Sequence, residues 1–591
     1  MKPPPLPHSP SPHLPIPPTP HLPPLRWLCV LLLLGLLFRL SYLDQKIFWV
    51  DEVATVVRAV GYTKAEIVAQ LADGQIHTAA DLLAYQRLTP DRSLLDSLTA
   101  LSRSPEHAPL YFGLTRFWMV AFGSSIGAIR SLSVLASLLA LPALGWLCRE
   151  LFGHSRPTAA GRIGGIAVAL LAVSPYFVAY AQEARPYSLW LLTLLLCWAA
   201  LLRALRLNSI PSWGLYVVTL SLSLYTSLLT LLLLLGQVGY VGMIGLKLAN
   251  QQAKTRAKTQ AKARTQLLTR FAIAVATATV LFLPWIWVLL HQQQALADNT
   301  TWMRTAIHPL ALLAVWLYSL AIVWFDVPVV PTGGMALAQG VLAALVLAVV
   351  GYAGYALSRS DRSVGQLNAA AALAALSLPV PLLLLLLDLG FRGQSSATSR
   401  YLIPTQMAAL IAVACLCYPA LFTNKHKATG SPSPPIRPRT AQVVLSGLLA
   451  LSLVSNGVNL TRSPDYQKTR NQANPAIAAR INQINRAQAG LVPLLAEPAQ
   501  TMDLLSLSHL LDPTVPVRIA PADRLLDLPP AVSLTPARLP TCPTALLFNP
   551  SPALLAAANQ RDLQPQQLYR PALLTAADVH LTLWQIACPI P

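Results

Sequence analysis

Long apolar runs set the first constraint on this chain. RWLCVLLLLGLLFRLSYL (26–43) and VPLLLLLLDL (380–389) carry more consecutive apolar surface than a water-exposed helix tolerates. Only 11% of the 591 residues are charged and 54% are apolar, against about 25% charged in a soluble domain. A hydrocarbon core about 30 Å thick needs about 20 apolar residues of helix. By that measure the sequence predicts eleven spans, at 25–43, 128–148, 163–181, 186–205, 213–229, 230–247, 271–290, 336–357, 367–387, 402–422 and 441–457. Two shorter stretches, 108–122 and 309–325, would raise the count to thirteen if both crossed. The expected fold is therefore an α-helical polytopic membrane protein with 11–13 transmembrane helices.

The net charge of +20 does not point to nucleic acid, because of where it lies. Lys247–Arg270 holds seven Lys/Arg and no acid between two apolar runs. Basic loops of this kind stay in the cytoplasm. Placing 149–162, 203–208, 247–270, 359–362 and 425–439 inside leaves 44–127, 291–335 and everything after 457 outside. On that parity 108–122 and 309–325 lie flat or half-inserted at the outer interface, as amphipathic helices do; Arg116 within the first also disfavours a crossing. The expected location is a plasma (inner) membrane, with the large first loop and the tail extracytoplasmic.

Three regions follow. Residues 1–24 hold 12 prolines and no apolar core, and read as an extended cytoplasmic arm rather than a cleaved signal. Residues 25–459 form the membrane domain, with outer loop 44–127 long enough to require a fold of its own; helices are expected near 62–72 and 91–101. Residues 460–591 are polar and proline-dotted, with helix-like stretches at 473–488 and 552–559 and strand-like ones at 491–496, 515–520, 544–548 and 579–586. A small α/β or α+β outer domain is expected there. Cys29, Cys148, Cys197, Cys415 and Cys417 lie in or beside apolar helices as small hydrophobes. Cys542 and Cys588 can pair if the tail faces an oxidising compartment.

In so charge-poor a chain, ionisable groups at span ends carry information. FWVDEVATVVRA places Asp51 and Glu52 just past the first span, with Arg58 a turn and a half on. SPEHAPLYFGLTRFW places His107 and Tyr111 before 108–122. AYAQEARPYSLW joins two spans by a short turn bearing Glu183, Arg185 and Tyr187, and SATSRYLIP puts Arg400 at the start of another. On the expected topology all of them reach the outer face. Each has a plainer reading. Acids start helices, Arg and Tyr anchor interfaces, and Glu183 and Arg185 can simply pair. Their convergence suits a transferase acting on a lipid-linked sugar. A carboxylate takes the acceptor's proton, and cations hold the departing phosphate. Adjacent residues point in different directions on a helix, so one of Asp51 and Glu52 is the base and Asp51 is the first choice. No metal-ligand spacing is visible, so no cofactor is expected, although a divalent metal stays open.

FWVDE, EHAPLYFGLTRFWMVAFG, GAIRSLSVLASLLALPALGWLCRELFG, LLAVSPYFVAYAQEARPYSLWLLTLLL, LSLYTSLLTLLLLLGQ and SRYLIP together resemble the GT-C superfamily of integral-membrane glycosyltransferases. The likeness is strongest to its bacterial branch related to protein O-mannosyltransferases and the aminoarabinose transferase of lipid A. It covers most of 45–240 and a stretch near 400. It implies a polyprenyl-phosphate sugar donor, usually inverting transfer and an active site beneath the first outer loop. By the same resemblance Asp51 or Glu52 acts as base, His107 contacts the lipid phosphate and Glu183 is an acidic partner. Ala108 departs from the HPPLY often seen in that superfamily, and the acceptor does not transfer. The alternatives are a polyprenyl-lipid flippase, whose charges would sit nearer mid-bilayer, and a non-catalytic scaffold. Membrane lipids are partners on every reading.

Cysteine-accessibility labelling tests the expected sidedness. Cysteines introduced near residues 75 and 500 should react from outside, and one near 258 only from inside.

Overall fold

The structure is a computed structural model and describes residues 25–153, 157–255, 258–327, 334–360, 368–418, 435–461, 470–488, 492–527, 544–570 and 581–587. The proline-rich arm and the Cys542/Cys588 pair lie outside these residues. Among them, eight helices are long and apolar enough to span a membrane, or nine if the bent pair Pro157–Val173 and Pro175–Ala181 is one span. The eleven expected stretches are helical over most of their described residues, with 367 and 419–422 outside these. Leu25–Leu40 has 16 described residues and Ile210–Thr226 has 17. At about 1.5 Å per residue these reach about 24–26 Å, near the lower limit of about 17 residues for a span, and the first adjoins residues outside the described ones. The two ambiguous stretches are the 13-residue helices Leu110–Phe122 and Pro309–Ala321, shorter still.

The bundle is built around Tyr187–Leu207, 78% of whose apolar window is buried, against Ile126–Phe152 and Ile210–Thr226. Ala336–Arg359 is at the other extreme, 11% buried, with Leu337, Val341 and Leu345 turned outward. Apolar surface of that kind needs lipid rather than water. Close crossings depend on glycine. A Cβ on Gly35 would strike the Ala172 carbonyl, and one on Gly236 the Ala375 carbonyl.

The bend of 61° at Ser174 has a local cause. Pro175 has no N–H, so the carbonyl one turn back loses its helical donor. Arg39, fully buried, supplies donors instead to the Leu171 and Ala172 carbonyls, at 3.2 and 2.5 Å. Asn456 Nδ2 donates to the Val173 carbonyl at 2.8 Å. The broken helix then ends in the short turn 182–186, where Gln182 Nε2 donates to the carbonyls of Phe38 and Ser41.

The first loop is folded. Three of its helices open on capping boxes, Thr63 with Glu66, Thr78 with Asp81 and Ser93 with Asp96, which satisfy the orphan donors of a helix start. Arg116 is explained by the same loop: its guanidinium donates to the Ala59 and Val60 carbonyls at the end of helix Val50–Val60.

The tail forms a mixed six-stranded sheet that the tail alone does not complete. The strands are β1 (Ile76–Thr78), β2 (Leu494–Ala496), β3 (Pro516–Ile519), β4 (Ala545–Phe548), β5 (Gln566–Tyr569) and β6 (Leu583–Ile586). Their order is β1-β3-β2-β4-β6-β5, with β2 parallel to β3 and β4 and the other pairs antiparallel. Four lie within the expected strand segments. β1 comes from the first loop, with Ile76 opposite Arg518 and Thr78 opposite Pro516. Side chains alternate across the sheet. Leu494, Val517 and Leu546 pack with Ile477, Leu504, Ile67 and Val56. Leu495, Ala545 and Leu547 pack on the other face with Leu525 and Leu554. One sheet face therefore shares a core with the helix that begins at Asp51 and Glu52.

Candidate active site

Helix Val50–Val60 starts immediately beyond the first membrane helix, and its first turn carries both acids. Successive helical residues differ by about 100° in direction, and here that difference separates burial from exposure. Glu52 is fully buried. Its Oε1 and Oε2 accept from Arg130 Nε and Nη2 at 2.8 and 2.7 Å, and Oε1 also accepts from the Ala184 N–H at 2.7 Å. Arg130 further donates to the carbonyls of Leu43, Lys46 and Ile47. Both charges are thus compensated with good geometry, the condition under which a buried pair persists. Arg130 was not among the sequence-level candidates. Its signal was that it is the one charged residue between Ile126 and Cys148 of its helix.

Asp51 points the other way, with a side chain 28% exposed. Its Oδ2 lies 3.9 Å from Arg185 Nη2 and 3.9 Å from Arg400 Nη2. These are ion-pair distances, longer than a hydrogen bond. Arg185 is buried, and its Nη1 donates to the Asp51 carbonyl at 3.0 Å and to Thr55 Oγ1 at 2.9 Å. Tyr187 lies beneath both cations, 5.7 Å from the guanidinium carbon of each, within range of a cation–π attraction. Tyr180 meets Tyr187 edge-on at 5.2 Å. The Nε atoms of Arg185 and Arg400 are buried and have no hydrogen-bond partner among the described residues.

Arg58 and His107 complete the rim. Arg58 Nε donates to Ser104 Oγ at 2.8 Å. His107 lies 3.5 Å from Glu106 and tilts against Phe112. Burial, and then the positive charges of Arg58, Arg185 and Arg400, hold the His107 ring well below the usual histidine range, so it is neutral near pH 7. Three guanidiniums, of Arg58, Arg185 and Arg400, stand at this end of the bundle with the carboxylates of Asp51 and Glu106 and the turn that holds Glu183. Among the described residues no group of three or more His, Cys, Asp and Glu is placed to hold a metal.

Two predicted site residues lie differently. Tyr111 is fully buried and its hydroxyl is 2.6 Å from Ser133 Oγ, which donates in turn to the Arg185 carbonyl at 3.3 Å. It supports the 182–186 turn from behind. Glu183 is buried within that turn, and its carbonyl accepts from the Arg185 N–H at 2.8 Å.

No protein-family model and no curated protein matches the chain. Solved structures do. ArnT from Cupriavidus metallidurans bound to undecaprenyl phosphate is similar over 96% of this chain and 98% of that one, at 13% identity and a TM-score of 0.46. The same protein in the apo state gives 95%, 98%, 13% and 0.48. The archaeal oligosaccharyltransferase AglB from Archaeoglobus fulgidus, in complex with an inhibitory peptide and a dolichol-phosphate, covers 83% of this chain and 65% of its own at 12% identity and a TM-score of 0.43. The likeness concerns the overall course of a multi-pass helical membrane protein, and no residue role is taken from it.

The two acids should separate in a stability measurement. Glu52→Gln leaves Arg130 buried without its counter-charge and should cost about 3–5 kcal/mol. Asp51→Asn should leave thermal unfolding in detergent nearly unchanged. Equal destabilisation by both would contradict the division.

Proposed function

We propose that this protein transfers a sugar from a polyprenyl-phosphate donor to an acceptor hydroxyl at the outer face of the membrane. Asp51 is the general base, and Arg185, Arg400, Arg58 and His107 form the phosphate site. The observation that carries this reading is a part-exposed carboxylate 3.9 Å from each of two guanidiniums whose buried Nε atoms have no protein acceptor among the described residues. Buried donors without acceptors are costly, and a phosphate ester supplies both the charge and the acceptors. The end of the bundle suits a donor whose tail stays in lipid and whose sugar does not.

The step is a displacement at the anomeric carbon. The acceptor O–H gives its proton to Asp51 as its oxygen forms a bond to that carbon. The bond from the anomeric carbon to the phosphate oxygen breaks, and the electron pair leaves with the lipid phosphate. Attack opposite the leaving group inverts the centre. Negative charge grows on the phosphate in the transition state, where fixed guanidiniums stabilise it without reorganising. Glu52 holds the base's helix, and Glu183 acts within the turn that presents Arg185.

Transfer of labelled sugar in reconstituted membranes tests the assignment. Asp51→Asn should lower kcat by about 10²–10⁴-fold with donor binding retained. Arg400→Ala should weaken donor binding by about 10–100-fold, the range of a lost hydrogen bond to a charged group. Full transfer by Asp51→Asn would remove the mechanism. Vesicle flip-flop of the donor without transfer would favour a flippase.

Phosphate binding should also be linked to protons. Burial, and after it three guanidiniums, disfavour His107 protonation, and an anion seated among them offsets the guanidiniums' share and raises the ring's pKa. Binding should therefore shift the ring towards its protonated form. Titration with undecaprenyl phosphate, compared in buffers of different ionisation enthalpy, should show proton uptake and tighter binding as pH falls towards 6. His107→Gln should remove the uptake.

A further inference from the structure

The helix bearing Asp51 is begun by a residue more than 400 positions away. A helix start leaves backbone donors without partners, and Trp49, at the cap position, gives no side-chain hydrogen bond. The Glu52 and Val53 N–H groups turn back to the Trp49 carbonyl. The Val50 N–H instead donates to Asn471 Oδ1 at 3.0 Å. Two residues earlier the Phe48 carbonyl accepts from Ser506 Oγ at 2.6 Å. The tail thus holds both sides of Trp49.

Asn471 is itself fixed. It is fully buried, and its Nδ2 donates to Asp503 Oδ1 at 3.1 Å. Asp503, also buried, accepts from Arg470 Nε and Nη2 at 3.2 and 2.9 Å. Asn474 Nδ2 holds Ser506 Oγ at 3.0 Å. Asn471 therefore has its amide orientation set by a carboxylate behind it, leaving only its oxygen for Val50. Beside it, Arg470 has its charge reinforced chiefly by the bond to Asp503, opposed by burial, and its surroundings include Asp51.

We infer that Asn471, oriented by Asp503, is a positioning residue for Asp51, and that the tail is an integral part of the transfer site rather than an appended domain. This rests on the reading of Asp51 as the base. The helix start is then held from two directions. Arg130 holds it from the membrane domain through Glu52, and Asn471 holds it from the tail through Val50. A base displaced by about 1 Å can lose about 10²-fold in rate, whereas two of the phosphate cations, Arg185 and Arg400, stand on other segments, and Arg58 is on this helix but two turns beyond the start that Asn471 holds.

The test uses the full chain in nanodiscs, with undecaprenyl-phosphate sugar transfer and undecaprenyl-phosphate binding measured separately. Asn471→Ala should lower kcat about 10–100-fold with lipid-phosphate affinity changed much less. Asn471→Asp alone sets two carboxylates against each other and should also be slow. Asn471→Asp combined with Asp503→Asn keeps an acceptor for Val50, a donor between the two positions and the same net charge, so kcat should recover. Should Asn471→Ala fail to fold, the Asn471→Asp single and double variants decide by the same recovery. Wild-type kcat in Asn471→Ala with Asp51→Asn inactive would overturn this inference and leave the proposed function standing. So would a folded double variant no faster than the Asn471→Asp single. Activity in Asp51→Asn would overturn the proposed function and this inference together.

Discussion

The Glu52–Arg130 pair joins the helix that bears Asp51 to a membrane helix and to the turn that carries Arg185. Arg130 comes from the first turns of a membrane helix and reaches the carbonyls of residues 43–47 as well as Glu52. Glu52 in turn holds the Ala184 N–H, which fixes the turn that carries Arg185. Burying two ions costs several kcal/mol each before their attraction is counted. Such a pair is weak evidence for stability alone, but it is a strong means of fixing geometry. With one member removed the other has no route to water, so the three segments move together or not at all.

The Asp-Glu dipeptide therefore has two functions in two residues. A single carboxylate could not both anchor the helix in a low-dielectric interior and accept a proton from a substrate. The helical step of about 100° per residue resolves the conflict. It sends Glu52 inward to a neutralised pair and leaves Asp51 at the rim between two cations.

Much of this was legible in the sequence, for particular physical reasons. The apolar runs marked the helices, because burial in lipid tolerates little else. Segment 544–548 reads as a strand because a sheet covered on both faces needs continuous apolar residues, as the two cores flanking Leu546 and Leu547 show. The strand β1 could not be read. Ile-His-Thr is too short to carry a period, and its pairing with residues 516–518 is purely long-range. Arg130 and Asn471 were invisible for a related reason. Each acts through partners that only tertiary structure supplies, and locally each looks like an ordinary polar residue at a helix end. Eight or nine of the described helices pass as full spans, and what composition does not record is where hydrogen bonding breaks. Pro175 interrupts one run, and Arg39 and Asn456 repair the interruption from other helices.

On the proposed mechanism the same cations serve the base and the leaving group, which imposes an order. Arg185 and Arg400 each stand 3.9 Å from the Asp51 carboxylate, and their attraction stabilises it as an anion and so opposes its taking a proton. An arriving phosphate engages the guanidiniums, spreads their charge over its own oxygens and adds a negative neighbour. Each of these changes makes proton transfer to Asp51 more favourable. The acceptor is then activated only when a donor is in place, and a bound acceptor alone meets a carboxylate held by arginine. Coupling of this kind needs no moving lid. It needs two cations beside one part-exposed acid, which is what the Val50–Val60 helix, the 182–186 turn and the start of the Ser399–Leu416 segment bring together.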